Sequence, residues 1–121
     1  MPDISNMKYQ HNITSGMVGT LPVIYMEGDL TSEADSDVKA VYNRLKEEQP
    51  LAKLIVNFEK TSYINSSGIA TLIHIIRDVN DHGGVIGFVG MSDHLKKVMS
   101  IVGISDFVKT FETNADALAK L

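Results

Sequence analysis

The residues with the most chemical potential are Asn65-Ser66-Ser67-Gly68, which follow an apolar strand core and open an amphipathic helix. Two adjacent hydroxyls at a helix start meet unbonded backbone N–H groups and the positive end of the helix dipole, an environment that favours a negative group. A serine so placed is either a helix cap or a phosphate acceptor. One cap, worth about 1 kcal/mol, is enough for a helix, and here a second hydroxyl is left over. Gly68 keeps the first turn free of a Cβ, so another molecule's backbone has room to approach. The passage from a strand end into a helix is also where α/β sheets usually place their sites. A phosphate at this turn gains about 0.3–1 kcal/mol from the helix end. The same charge set in an interface without a cation opposes binding. Modification here is expected to act on a partner, not on the fold.

Competing chemistries lack their parts. A serine-hydrolase elbow needs glycine two residues before the serine, and position 64 is Ile. His74 lies two helical turns from Ser67, about 10 Å along the axis, too far for a general base. His74, Asp78 and His82 recur at helical spacing, but the outer two are about 12 Å apart and cannot share one metal ion, so a solvated polar face is expected. The glycines at 83, 84, 87 and 90 are not followed by the Lys-Ser or Lys-Thr of a P-loop and read as turns and caps. A phosphoacceptor receiver domain needs an acidic pair after its first strand and an isolated Asp ending its third. This chain opens with a hairpin and has Asn57 and then Glu59 in the later region. No catalytic residue, metal site or cofactor is expected.

The elements that must position the serines can be read from the pattern. Residues 8–15 and 17–27 read as strands joined by a Ser15-Gly16 turn, with Pro22 confined to an edge or bulge position. A helix follows Ser32, which with Asp35 resembles a weakened capping box, and places Ala34, Val38, Val41, Tyr42 and Leu45 on one face. Residues 53–58 read as a strand buried on both faces. The second helix runs from about Ser67 to His82, with Ile69, Leu72, Ile73, Ile76 and Val79 as its stripe and Gly83-Gly84 as its stop. Residues 85–89 form a strand. A third helix starts at Ser92, turns Leu95, Val98, Met99 and Val102 inward, and ends at Gly103-Ile104. A last strand over 107–111 and a short helix from Thr113 complete the order β-β-α-β-α-β-α-β-α. That order predicts a single α/β domain over residues 1–121, with residues 1–6 a loose segment. Its sheet is mixed but mostly parallel after the opening hairpin, with helices packed on it.

The 121 residues suffice for one core, and 44% apolar with 21% charged residues is ordinary globular composition. A net charge of −4, with Lys96-Lys97 among few paired basic residues, excludes a phosphate-backbone stripe and hence nucleic acid. It favours a partner with a basic surface. The absence of cysteine fits a reducing cytoplasm. The start of the chain lacks a signal-peptide pattern, and no apolar run nears the roughly 20 residues of a membrane span. A soluble cytoplasmic protein is expected.

Phe58-Glu59-Lys60-Thr61-Ser62-Tyr63-Ile64-Asn65-Ser66-Ser67-Gly68-Ile69 resembles the signature of the STAS domains of bacterial anti-sigma factor antagonists. Gly28-Asp29-Leu30, Gly83-Gly84 and the stretch from Ser92 to Gly103-Ile104 match other landmarks of that family in order. The resemblance covers nearly the whole chain. It implies a partner switch, in which the unmodified antagonist binds an anti-sigma factor that is also a serine kinase. The kinase phosphorylates the first motif serine and the complex dissociates; a serine phosphatase resets it. On this resemblance Ser66 is the phosphorylated residue, with Ser67 the second choice, and Asp29, Asn65, Ser66, Ser67 and Gly68 belong to the partner-binding face. The family usually has Asp where this chain has Asn65. Asn caps a helix equally well but lacks the charge that could orient the serine hydroxyl or pair with a kinase cation. The alternative implied is a STAS scaffold that binds its partner without phosphorylation.

Overall fold

The computed structural model describes residues 10–121. Strands β1 (His11–Val18) and β2 (Leu21–Leu30) form an antiparallel hairpin in which Val18 faces Leu21 across Gly19-Thr20. The turn therefore lies four residues beyond the Ser15-Gly16 position expected from sequence. Gly19 supplies the left-handed backbone a tight turn needs, with φ of 60°. Gly16 is instead mid-strand, opposite Val23, where a Cβ would stand 3.5 Å from the Tyr25 ring. Pro22 pairs with Met17 one residue before the parallel ladder begins at Val23, so its missing N–H interrupts nothing. The expectations for residues 1–6 and for the first two residues of the opening strand lie outside the described residues.

Strand β2 is central. Its first half pairs in parallel with β3 (Lys53–Asn57). Beyond a register shift between Gly28 and Asp29 it pairs with β4 (Thr61–Ile64), also in parallel. The order expected from the sequence has no strand between residue 58 and the helix. Strand β4 is four residues long, two of them exposed, and so shows no clean alternation. Strands β5 (Val85–Val89) and β6 (Lys109–Phe111) extend the sheet on the far side of β3, giving the order β1-β2-β3-β5-β6 with β4 set against β2. Apart from the hairpin every pairing is parallel. The single α/β architecture expected from the sequence is present, with one strand more.

Helices α1 (Asp35–Glu48), α2 (Ser66–Asp81) and α3 (Asp93–Ile101) enclose the main core on one face of the sheet, around Ile24, Leu54, Val56, Leu72, Ile86 and Phe88. A shorter helix, α4 (Asn114–Lys120), sets Ala117 against Val23, Ile55 and Val89 on the other face. Helices α2 and α3 both stop as their glycines require. Gly83 and Gly103 take φ of 77° and 80°, and the following N–H groups reach back to Val79 (2.8 Å) and Met99 (3.1 Å).

Three local expectations change. Ser32 does not cap α1: no side chain bonds at that cap, and the Asp35 carboxylate turns to Thr71 and Lys39 instead. Val102 is exposed because α3 ends at Ile101, and Ile104 turns inward in its place. The last strand, expected over 107–111, begins only at Lys109; Phe107 closes a 3₁₀ turn over Ser105–Phe107 and is exposed. Among the described residues no helix is long and apolar enough to cross a membrane.

Candidate functional site

The serine motif hangs from the middle of the sheet. Asp29 stands opposite Tyr63 and Leu30 opposite Ile64 in the β2–β4 ladder. The Asn65 N–H then donates to the Leu30 carbonyl (3.2 Å), which fixes the chain as it turns into α2. The Asn65 side chain accepts from the Gly68 N–H at 3.1 Å and is the N-cap, leaving both serines free of that task. The first intrahelical bond runs from Ile69 N–H to Asn65 O (3.0 Å), so the Ser66 and Ser67 amides precede the helical ladder.

The two hydroxyls have different surroundings. Ser66 is the first helical residue and is exposed. Ser67 is half-buried and lines an open groove of about 310 Å³ between the first turns of α1 and α2, with Ser32, Asp35, Lys39, Thr71 and His74. Thr71, only 5% exposed, donates to Asp35, and its hydroxyl also lies 3.1 Å from the Ser67 carbonyl oxygen. The bond from Thr71, with Lys39 and His74 nearby, holds the Asp35 carboxyl below the usual carboxylate range. Sequence reading missed this bracket, since Asp35 and Thr71 are 36 residues apart.

Gly68 is buried, and its place is set from inside. A Cβ there would fall 2.2 Å from the Leu30 carbonyl oxygen and 2.8 Å from Ile64 Cγ1. The glycine lets α2 close onto the end of β2; the space it leaves is filled by the protein itself, not held open for another molecule. Asp29 is half-exposed on the same strand end, and its carboxylate accepts from the Gln10 N–H (3.3 Å). The structure thus gathers Asp29, Asn65, Ser66 and Ser67 at the ends of β2 and β4 and adds Tyr63, 49% exposed, which sequence reading did not single out.

A second bracket joins α1 and α2 at the other end. The Tyr42 hydroxyl donates to Asp78 Oδ2 (2.6 Å), and Lys46 Nζ lies 2.6 Å from the same oxygen. The hydrogen bonds from Lys46 and Tyr42 draw the Asp78 carboxyl below its ordinary range, while burial and the Asp78 charge raise the Tyr42 phenol. Asp78 is therefore an interhelical anchor, not part of a purely solvated face. Among the described residues no three metal-ligating side chains gather into a metal site.

Residues 12–117 match the model of the STAS domain family. This chain belongs to that family. A putative anti-sigma factor antagonist of Thermotoga neapolitana is 23% identical over 69 residues, 57% of this chain and 61% of that relative, so the match spans under two thirds of its length. The phosphorylated form of the Bacillus cell fate determinant SpoIIAA superposes with a TM-score of 0.72 at 22% identity, over 90% of this chain and 98% of that one. A sulfate transporter family protein of Wolinella succinogenes gives 0.73 at 20% identity, over 86% and 87%. Similar folds thus occur in a phosphorylated cell fate determinant and in a sulfate transporter family protein.

Proposed function

We propose that this chain is an anti-sigma factor antagonist working by partner switching in the cytoplasm. Unmodified, it binds an anti-sigma factor that is also a serine kinase. Phosphorylation of Ser66 releases it, and a serine phosphatase restores it; the chain itself catalyses nothing. The observation that carries the reading is the exposed Ser66 hydroxyl on the first residue of α2, with capping already done by Asn65. A phosphate there finds the positive end of a 16-residue helix, so the fold accepts it while the docking face changes charge. Asp29, Tyr63, Asn65 and Ser67 surround it as partner contacts. Gly68 contributes by packing.

The test is incubation with the serine-kinase anti-sigma factor and ATP, followed by mass spectrometry. One phosphate is expected on the peptide spanning residues 61–77, and none on Ser66→Ala. Undiminished phosphorylation of that variant overturns the assignment to Ser66, and its loss in Ser67→Ala would then select the second choice. Asn65, neutral where the family usually has Asp, favours a second reading: a scaffold that binds without being phosphorylated. Absence of the phosphopeptide from native cells that hold an active kinase would select it.

A further inference from the structure

The sheet face beneath α4 is only partly covered. Ala117 shields Val23, Ile55 and Val89, but toward the strand ends the same face carries Thr14, Tyr25 and Asn57 around a cavity of about 380 Å³, completed by Glu27, Glu59 and Asn114. Carboxyl ends of parallel strands are where ligands of open α/β sheets bind, and the volume suits a small molecule.

Asn57 is the anomaly that marks the place. It is 4% exposed and ends a strand whose residues Leu54, Ile55 and Val56 are wholly buried. All its polar atoms are engaged: Nδ2 donates to Glu59 Oε1 (3.0 Å) and Asn114 Oδ1 (2.9 Å), and Oδ1 accepts from the Glu59 N–H (2.9 Å). Asn114 Nδ2 in turn donates to the Tyr25 hydroxyl oxygen (3.3 Å), which leaves the phenol proton free to donate. Gly90, with φ of 70°, completes the seat, since a Cβ there would lie 2.3 Å from Glu59 Cγ. Glu59 is thereby held in place. Lys60 at the rim is 3.4 Å from Glu27; among the described residues no cation pairs with Glu59.

We propose that this cavity binds a small organic amine. Its ammonium or guanidinium N–H groups donate to the Glu59 carboxylate, and the Tyr25 ring flanks the cation. The site is independent of Ser66, because it lies on the α4 face whereas α2 packs on the other.

The experiment is an NMR titration of the full chain with agmatine at fixed ionic strength. Tetramethylammonium, a cation with no N–H donor, is the control for charge screening, and a short arginine-containing peptide stands in for a side chain of a protein partner. Agmatine is expected to shift the side-chain amides of Asn57 and Asn114 and the Glu59 backbone amide, saturably and locally. Glu59→Gln, which keeps the acceptor for Asn57, should weaken binding at least tenfold, and Lys60→Gln, which removes a competing cation, should tighten it. Saturation by the peptide alone supports the same recognition with a protein as its source. No shift with either probe, equal shifts with tetramethylammonium, or unchanged affinity in Glu59→Gln overturns the proposal.

Discussion

Replacing Gly68 by Ala tests whether the serine turn is locked from within. The added Cβ would lie 2.2 Å from the Leu30 carbonyl oxygen, about 1 Å inside any tolerable contact, and no rotamer relieves a clash with backbone. Either the first turn of α2 lifts or the Leu30 carbonyl moves. Moving the carbonyl strains the bond it accepts from Asn65 (3.2 Å), worth about 1 kcal/mol. Overpacking of this kind costs about 1–3 kcal/mol, and the better helix propensity of Ala returns at most about 1 kcal/mol. The net loss is about 1–3 kcal/mol, which lowers Tm by roughly 4–12 °C for a chain of this size. Differential scanning calorimetry reads it directly. Gly83→Ala is the comparison, since nothing lies within 4 Å of its Cβ position and only its positive φ of 77° is penalised, about 1–2 kcal/mol. The reasoning also requires Ser66 to shift in Gly68→Ala alone, so its phosphorylation should slow there and not in Gly83→Ala. An unchanged or higher Tm for Gly68→Ala would refute the argument.

Further outcomes are expected at three residues. Asn65→Ala should lose about 1 kcal/mol in urea unfolding through the missing cap, whereas Asn65→Asp should keep the cap and gain about 0.3–1 kcal/mol from the helix end. Asn65→Asp should also be phosphorylated faster than the natural chain if the missing charge limits the kinase, measured as initial rate. Ser66→Asp should weaken partner binding in calorimetric titration with a Tm close to that of the parent. Asp78, whose carboxyl is drawn below its ordinary value, stabilises the fold fully above pH about 4; that contribution is lost as pH falls through its lowered native pKa. Asp78→Asn should flatten that acid limb in urea unfolding measured between pH 5 and 2, and a slope identical to the parent's would remove Asp78 from the account.

Much of the architecture was legible because it rests on local rules. Helix α2 declares itself through its stripe and its Gly83-Gly84 stop, and α3 through Ser92 and Gly103-Ile104. What escaped depends on partners distant in the chain. Ser15-Gly16 reads as a turn until Gly16 is found beside the Tyr25 ring. Strand β4 exists because β2 changes neighbours at Gly28, which no periodicity within residues 61–64 announces. At the site, sequence pointed to Asn65, Ser66 and Ser67 but assigned Gly68 to an incoming molecule, when the reason for it is Leu30. Asp78 read as solvated because its partners Tyr42 and Lys46 belong to another helix.

The handover of β2 from β3 to β4 bears on how the chain can drift over generations. Between Phe58 and Ser66 the backbone is tied at several points: Thr61 N–H donates to Phe58 O (3.0 Å), Lys60 O accepts from Gly28 N–H (2.9 Å), and Asn65 N–H donates to Leu30 O (3.2 Å). A one-residue insertion or deletion within residues 61–64 would reverse the facing of Tyr63 and Ile64 and bring a different side chain to the first position of α2. An exposed turn such as Gly19-Thr20 tolerates added length better. The spacing between the end of β3 and Ser66 is thus a ruler that descendants of this chain can relabel with new side chains but cannot lengthen.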